Sequence, residues 1–502
     1  MSQKSVSNIL EALASFDHLS RVMFPRMQPQ TLPLLFFTEM WERFSYYGMR
    51  ALLVLYLVNS LHYERQDALA LYATYTGLVY LTPILGGYLA DRYLGTRKAI
   101  LIGGMTMALG HFAMAVPQLL HLALGLLIIG NGFFKPNIGT LLGSLYEKDD
   151  PRRDGGFIIF YMGVNLGAFL APLIAGTLGE KLGWHFGFAS AGIGMCLGLL
   201  QFVYGQHRLG DAGLRGKQRL DGRDWREIVT ISLGMVPLVW LVLEAYALLN
   251  PLWHGLSTAS QLMIVVIAVG GLLGLYGKTS SKAESRPPLT AEDWHHVSYI
   301  LILSIFVIFF WMGFEQAGGT MNLFADRETD RVLFGWEMPA SYFQAINPLA
   351  ILLLGPLMVV LWSWLDRSRY ALSTAVKMAL GLLLLGLGFI VLAIADAQAT
   401  AEHKVGPQWL VIVYLLHTLG ELCLSPTGLA MVTNIAPAQL TAMMLGIWYV
   451  SNAVANYLAG TLEALLAQWQ VPTYWFLVCS SIGAALLLLA ISPLLGRLIK
   501  PR

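Results

Sequence analysis

Residues 32–60, LPLLFFTEMWERFSYYGMRALLVLYLVNS, decide how this chain is read. The run is long enough to cross a bilayer core, which takes ~20 mostly apolar residues as a helix, and its flanks LPLLFFT and ALLVLYL are apolar. Its middle is not. Glu39, Glu42, Arg43, Tyr46 and Arg50 are related by spacings of three, four and seven, which project from one helix face. An ionisable group at membrane depth is costly, so it faces a partner or a cavity and marks function by default. A guanidinium matches a carboxylate bidentately, and tyrosines offer a hydroxyl and an aromatic wall. The alternative for this stripe is an ion pair that only fixes helix packing.

The rest of the chain agrees with a membrane setting. Of 502 residues, 56% are hydrophobic and 12% charged, against ~25% charged in a soluble domain. The formal net charge of +2 leaves no basic excess for nucleic acid, so a nucleic-acid partner is excluded. Strand-type alternation is absent, which argues against an outer-membrane barrel. Cys196, Cys423 and Cys479 sit in apolar runs without metal-ligand spacing and read as reduced filler. Apolar runs recur at 32–60, 69–90, 98–117, 121–146, 156–180, 186–206, 228–249, 258–277, 297–325, 339–365, 371–396, 408–435, 441–467 and 472–498. The expected fold is therefore all-α and polytopic with 14 transmembrane helices. No removable signal peptide is visible in 1–30, where Leu10, Leu13, Phe16, Arg21 and Arg26 suit a helix lying on the membrane surface.

Lys and Arg set the orientation. The outward loops hold only Arg65, Lys181, Arg327, Arg331 and Lys404, while nearly all other basic residues fall in the alternate loops and termini, which places both termini in the cytoplasm. Arg43, Arg50 and Lys135 remain, each inside a span; Glu39, Glu42, Glu315 and Glu421 lie at comparable depth, with Glu244 and Glu463 as further candidates. Such an interior reads as ion pairs with room for a proton. Polar segments divide the chain into a cytoplasmic segment 1–30, a six-helix bundle 31–207, a linker with two extra helices 208–293 and a second bundle 294–502. Two bundles related by a pseudo-twofold, with a solute site at their interface, are the architecture of a rocking transporter.

The motifs then resemble the proton-dependent oligopeptide transporter (POT) family of the major facilitator superfamily. Its first-helix signature ExxER followed by FxYYG is matched at Glu39, Glu42, Arg43, Phe44, Tyr46, Tyr47 and Gly48. GGYLADRYLG at 86–95, FFKPN at 133–137, RRDGGFIIFYMGVNLGAFLAP at 152–172, FQAINPL at 343–349 and GELCLSP at 420–426 extend the likeness over both halves. The resemblance implies a proton-coupled symporter importing di- and tripeptides across the cytoplasmic (inner) membrane by alternating access, working as a monomer, with protons as coupling ion and no other cofactor. It implies that Arg43 and Lys135 take the peptide carboxylate, that Glu421 holds the free ammonium, and that Asn165 and Asn347 clamp termini or backbone. Tyr46, Tyr47, Tyr80, Ser425 and Trp448 would line the pocket, with Glu315 beside them, and Arg50 and Glu315 would pair across the bundles to close the outer side.

For coupling, a carboxylate must be neutral in one state and ionised in another. Glu39 and Glu42 beside Arg43 and Lys135 suit this, protonation freeing a cation for the substrate carboxylate. The motif departs from its relatives around FEQAGGT, with Ala317 after Gln316. Asp91, Arg92, Arg97 and Lys98, and Arg152, Arg153 and Asp154, read as gating or topology contacts, and His111 as a packing histidine. Pro83, Pro136, Pro172, Pro348 and Pro426 read as tolerated kinks. No Walker loop, GxSxG, HExxH or CxxC is present, so the chain is not expected to be an enzyme. Open alternatives are a same-family carrier of nitrate or a single amino acid, a channel, and a peptide-sensing receptor without flux.

Overall fold

The computed structural model describes residues 28–147, 150, 152–214, 221, 222, 224, 226, 230, 289–368, 371–400, 403–437 and 440–499. Its helices are α1 (Leu32–Asn59), α2 (Arg65–Leu89), α3 (Thr96–Ala113), α4 (Leu120–Gly143), α5 (Arg153–Thr177), α6 (Trp184–Gly205), α7 (Ala291–Phe314), α8 (Thr320–Arg327), α9 (Ile346–Asp366), α10 (Thr374–Gln398), α11 (Gln408–Ile435), α12 (Thr441–Gln468) and α13 (Thr473–Leu498). Among the described residues, nine helical stretches are long and apolar enough to cross a membrane. The long helices α1, α3 and α12 fall outside that group, α1 because of the charges that mark it. The expected span at 258–277, all of that at 228–249 but residue 230, Glu244 and nearly all of the segment 1–30 lie outside the described residues.

Two features correct the expectation of plain spans. The run 297–325 is not one helix: α7 ends at Phe314, a 3₁₀ turn covers Glu315–Gly318, and α8 restarts at Thr320. The break falls at Gly318-Gly319, where nothing holds the backbone helical, and the buried Gln316 side chain repairs it. Its amide donates to Met312 O (3.2 Å) and Ala459 O (2.8 Å), and its oxygen accepts from Thr320 Oγ1 (2.8 Å). The chain is also not wholly α. A hairpin of β1 (Val332–Leu333) and β2 (Trp336–Glu337) pairs Val332 with Glu337 and Leu333 with Trp336.

The described residues pack as two compact units, one within Met1–Leu52, Thr82–Gly234 and Pro348–Ala371, the other within Leu53–Leu81, Met235–Asn347 and Leu372–Arg502. Apolar lipid gives helices no hydrophobic reason to associate, so close packing over small residues has to hold them. In the first unit a Cβ on Gly167 would strike the backbone of Met40 and Phe44, one on Gly163 would strike Phe36, and one on Gly194 or Gly198 would meet Phe44 or Trp41. Glycines on α5 and α6 thus admit the charged stretch of α1. Helix α4 is seated the same way: Gly86 of α2 lies against the Gly132 carbonyl, and Gly103 of α3 against Gly130. Pro136 has no N–H to give that Gly132 carbonyl, and Asn137 Nδ2 donates to Phe133 O (2.7 Å), satisfying the neighbouring turn. The motif FFKPN is therefore a helix-packing device as well as the carrier of Lys135. In the second unit Gly381 and Gly420 each face the other's carbonyl, holding α10 on α11 beside Glu421, and Gly460 admits α2 at Leu69 and Ala73 onto α12.

Of the expected kinks, Pro83, Pro136, Pro172 and Pro426 lie inside helices and Pro348 in the first turn of α9. Cys196, Cys423 and Cys479 are free. His111 is fully buried in α3, and neither ring nitrogen has a hydrogen-bond partner among the described residues.

Candidate functional site

In the first unit the α1 stripe becomes a buried ionic cluster. Arg43 Nε lies 2.9 Å from Glu39 Oε1 and in direct contact with Glu42 Oε2, and all three side chains are buried. These contacts pair charge without hydrogen-bond alignment: Glu39 Oε2, Glu42 Oε2 and Arg43 Nη2 have no hydrogen-bond partner among the described residues. Asn131 Nδ2 of α4 donates to the remaining Glu42 oxygen at 3.3 Å. Lys135, one turn further along α4 and half-buried, is near enough for its charge to act on both carboxylates. Two acids and two bases thus share one apolar interior.

An aromatic ladder continues from the cluster. Arg43 lies over the Tyr46 ring at 5.5 Å and Arg50 over Tyr47 at 5.7 Å, with the two tyrosine rings edge to face at 5.2 Å. Cations over ring faces keep part of their stabilisation where water is scarce. Gly48 lets this turn approach Ala175 of α5, where a Cβ would stand 3.1 Å away. Asn165 is buried on α5, and its amide donates to Tyr161 O of its own helix at 2.9 Å.

The second unit holds a different arrangement. Asn347, at the start of α9, donates from Nδ2 to Glu421 Oε2 (2.8 Å) and to Thr418 Oγ1 (3.0 Å); the Thr418 hydroxyl donates in turn to Tyr414 O (2.6 Å). Ser425 lies half-buried one turn beyond Glu421, and Trp448 is buried against Gly428, where a Cβ would collide with its ring. Glu315 is buried in the 3₁₀ turn, and Tyr80 is half-buried on α2.

The structure thus brings together Glu39, Glu42, Arg43, Tyr46, Tyr47, Arg50 and Lys135 in one unit, and Asn347 with Glu421 in the other. Asn131 and Thr418 escaped the sequence reading. Asn131 stands four residues before Lys135 and Thr418 three before Glu421, so helical spacing from a residue already singled out would have found both.

Comparison with known proteins gives the same direction throughout. The sequence profile of the POT family matches residues 97–477. The uncharacterized transporter YclF of Bacillus subtilis (strain 168) is 37% identical over 487 residues, covering 94% of this chain and 95% of its own length. A di-/tripeptide transporter of Lactococcus lactis subsp. lactis (strain IL1403) is 34% identical over 474 residues, covering 91% and 93%. A solved structure of a mutant peptide transporter POT in complex with alafosfalin superposes with a TM-score of 0.79 at 35% identity, covering 94% of this chain and 96% of that one.

Proposed function

The chain belongs to the POT family, as a multi-pass membrane protein among transporters, and from that premise we propose that it is a proton-coupled symporter importing di- and tripeptides across the cytoplasmic membrane. The reading includes the major facilitator architecture of two six-helix bundles and a two-helix insert, cytoplasmic termini, alternating access and action as a monomer. The Lactococcus relative, a di-/tripeptide transporter, supports it.

One observation carries the coupling: two buried carboxylates and two cations share the cluster of Glu39, Glu42, Arg43 and Lys135. With all four ionised the cluster is neutral. A peptide carboxylate arriving alone would leave one uncompensated negative charge in an apolar interior, which is costly. A proton arriving with it restores neutrality, releases one of the Arg43 contacts, and lets the guanidinium turn its unused donors to the substrate. Proton and peptide thereby bind as a pair. Arg43 and Lys135 form the carboxylate subsite in this reading. Glu421, steadied by Asn347, receives the ammonium, and Asn165 is a further polar contact. Tyr46, Tyr47, Tyr80, Ser425 and Trp448 are apolar-tolerant walls, and Arg50 and Glu315 are gating charges. Protons are the coupling ion and no other cofactor is invoked.

The test is uptake of a labelled dipeptide into liposomes holding the purified chain, under an inward proton gradient, with and without an uncoupler. Accumulation that the uncoupler abolishes and that unlabelled di- and tripeptides, but not free amino acids, compete is expected. Glu42→Gln is expected to lose accumulation yet keep counterflow exchange. Uphill uptake surviving in that variant would sink the coupling role. Absence of uptake by folded protein would turn the search to small anions and single amino acids.

A further inference from the structure

We propose that the hairpin between α8 and α9 is an anchor whose tip seats in the interfacial layer of the bilayer leaflet on the side the charge pattern assigns outward; its partner is a lipid surface. The turn joining β1 and β2 consists of Phe334 (φ 52°) and Gly335 (φ 79°). Two positive φ angles in a two-residue loop are the requirement of a type I′ hairpin turn, which Asn-Gly or Asp-Gly meets at least cost. A phenylalanine in the first place is a poor choice for the turn itself, since a bulky side chain resists that region. The residue is also fully exposed, at 108% of the reference area. In water both features are unfavourable, whereas an apolar interface gives the ring a reason to be there.

The polarity of the hairpin is graded along its axis. At its base Arg331 Nη2 pairs with Asp326 Oδ1 (3.1 Å) and Glu337 Oε1 (3.0 Å), and Nη1 donates to Met338 O (2.6 Å). Backbone bonds from Asp330 N to Val405 O (2.8 Å) and from Val405 N to Glu328 O (2.9 Å) stitch the same base to the α10–α11 connection. Beyond it Val332, Leu333, Phe334 and Trp336 are all exposed. Both faces of this ribbon are bare, so a flat protein surface would cover only one of them, while a lipid interface surrounds both. Trp336 stands 5.9 Å from Tyr342, and tryptophan and tyrosine are the residues enriched at headgroup level. Independently, the α12–α13 connection and the first turn of α13, on the same side by topology, expose Trp469 (67%) and Trp475 (48%).

The experiment uses the full chain in liposomes with Cys196, Cys423 and Cys479 replaced by serine and a single environment-sensitive fluorophore attached at Phe334→Cys or, as an aqueous reference on the α10–α11 connection, at Lys404→Cys. The tip label is expected to emit further to the blue, to be quenched by lipids spin-labelled near the headgroup, and to show a several-fold smaller iodide quenching constant than the reference. Equal iodide access at the two positions overturns the proposal. So does a tip shielded from both iodide and spin-labelled lipid, which would mean that protein covers it. Should the cysteine-depleted chain fail to fold, a photo-crosslinking phenylalanine analogue at 334 in the otherwise unaltered chain reads the same thing. A lipid adduct by mass spectrometry supports the anchor, and protein adducts or none overturn it. The outcome is independent of what the protein carries.

Discussion

The cluster on α1 and the cluster on α9 and α11 both hold buried carboxylates, but the first sets two of them against a guanidinium with an ammonium nearby, while in the second one accepts from an amide that also donates to a hydroxyl. In the first, a single proton changes the charge balance and hence which contacts exist. In the second, Thr418 accepts from the Asn347 amide, and that amide in turn donates to Glu421 and fixes where it points. A coupling device and a positioning clamp can therefore be told apart by what a neutral isostere does to each.

The largest effect is expected at Arg43. Arg43→Ala leaves two carboxylates without their contacting cation, and breaking a buried pair in this way costs about 3–5 kcal/mol. Loss of most folded protein on size-exclusion chromatography and of all uptake should follow. Arg43→Lys keeps the charge but not the planar fork, so it should fold and show both uptake and exchange well below the unmodified chain. Full activity in Arg43→Lys would reduce the cluster to an ion pair that holds helices together, and the contrast with the second cluster would collapse.

Next comes Glu421→Gln, which should raise KM for a dipeptide while leaving the proton dependence of accumulation intact. A hydrogen bond to a charged group is worth roughly 1.5–3 kcal/mol, or about 10- to 100-fold. N-acetylated dipeptides, lacking the ammonium, should lose far less. Equal losses for both substrates would remove Glu421 from the ammonium subsite. Asn347→Ala deletes one donor to Glu421 and should cost about 1 kcal/mol, or roughly fivefold in KM, and a change in uncoupler sensitivity there would show that the clamp takes part in coupling after all.

These contrasts were unevenly legible in the sequence. The α1 cluster could be read because its members share one helix face and each stands out against LPLLFFT and ALLVLYL. The Asn131 contribution was hidden in the apolar run IIGNGFF, where an amide looks like a packing residue until Glu42 is seen to accept from it. Long-range pairs were invisible for a different reason. The sequence places Arg65 in an outward loop and offers Glu463 as a further buried candidate, yet they form a bidentate pair at 2.7 and 3.0 Å across 398 positions of sequence. Nothing local encodes such a partner. The hairpin was missed because two-residue strands carry no alternation to detect, and the break at Gly318-Gly319 because hydropathy alone runs unbroken through it.

The smallest effect sharpens the comparison from outside the membrane, where an arginine open to solvent pairs with a largely covered carboxylate. In the α4–α5 connection Arg152 donates to Asp150 from Nη2 (2.7 Å), Nε (3.0 Å) and its backbone N–H (2.8 Å), with the Arg152 side chain 42% exposed. Those donors, the guanidinium first, hold the Asp150 carboxyl below the usual carboxylate range. A group whose pKa is depressed on folding contributes stability above its unfolded value of ~3.9 and loses that contribution as pH falls through the lower folded value. Asp150→Asn should therefore lower the thermal unfolding midpoint in detergent slightly at pH 7, and the gap should close as the pH drops below the ordinary carboxylate range. Because solvent reaches the guanidinium and screens the pair, the shift should be far smaller than for Arg43→Ala, although the donor geometry at Asp150 is the better of the two. A comparable loss from both substitutions would mean that geometry, and not burial, sets what an arginine–carboxylate pair is worth in this chain.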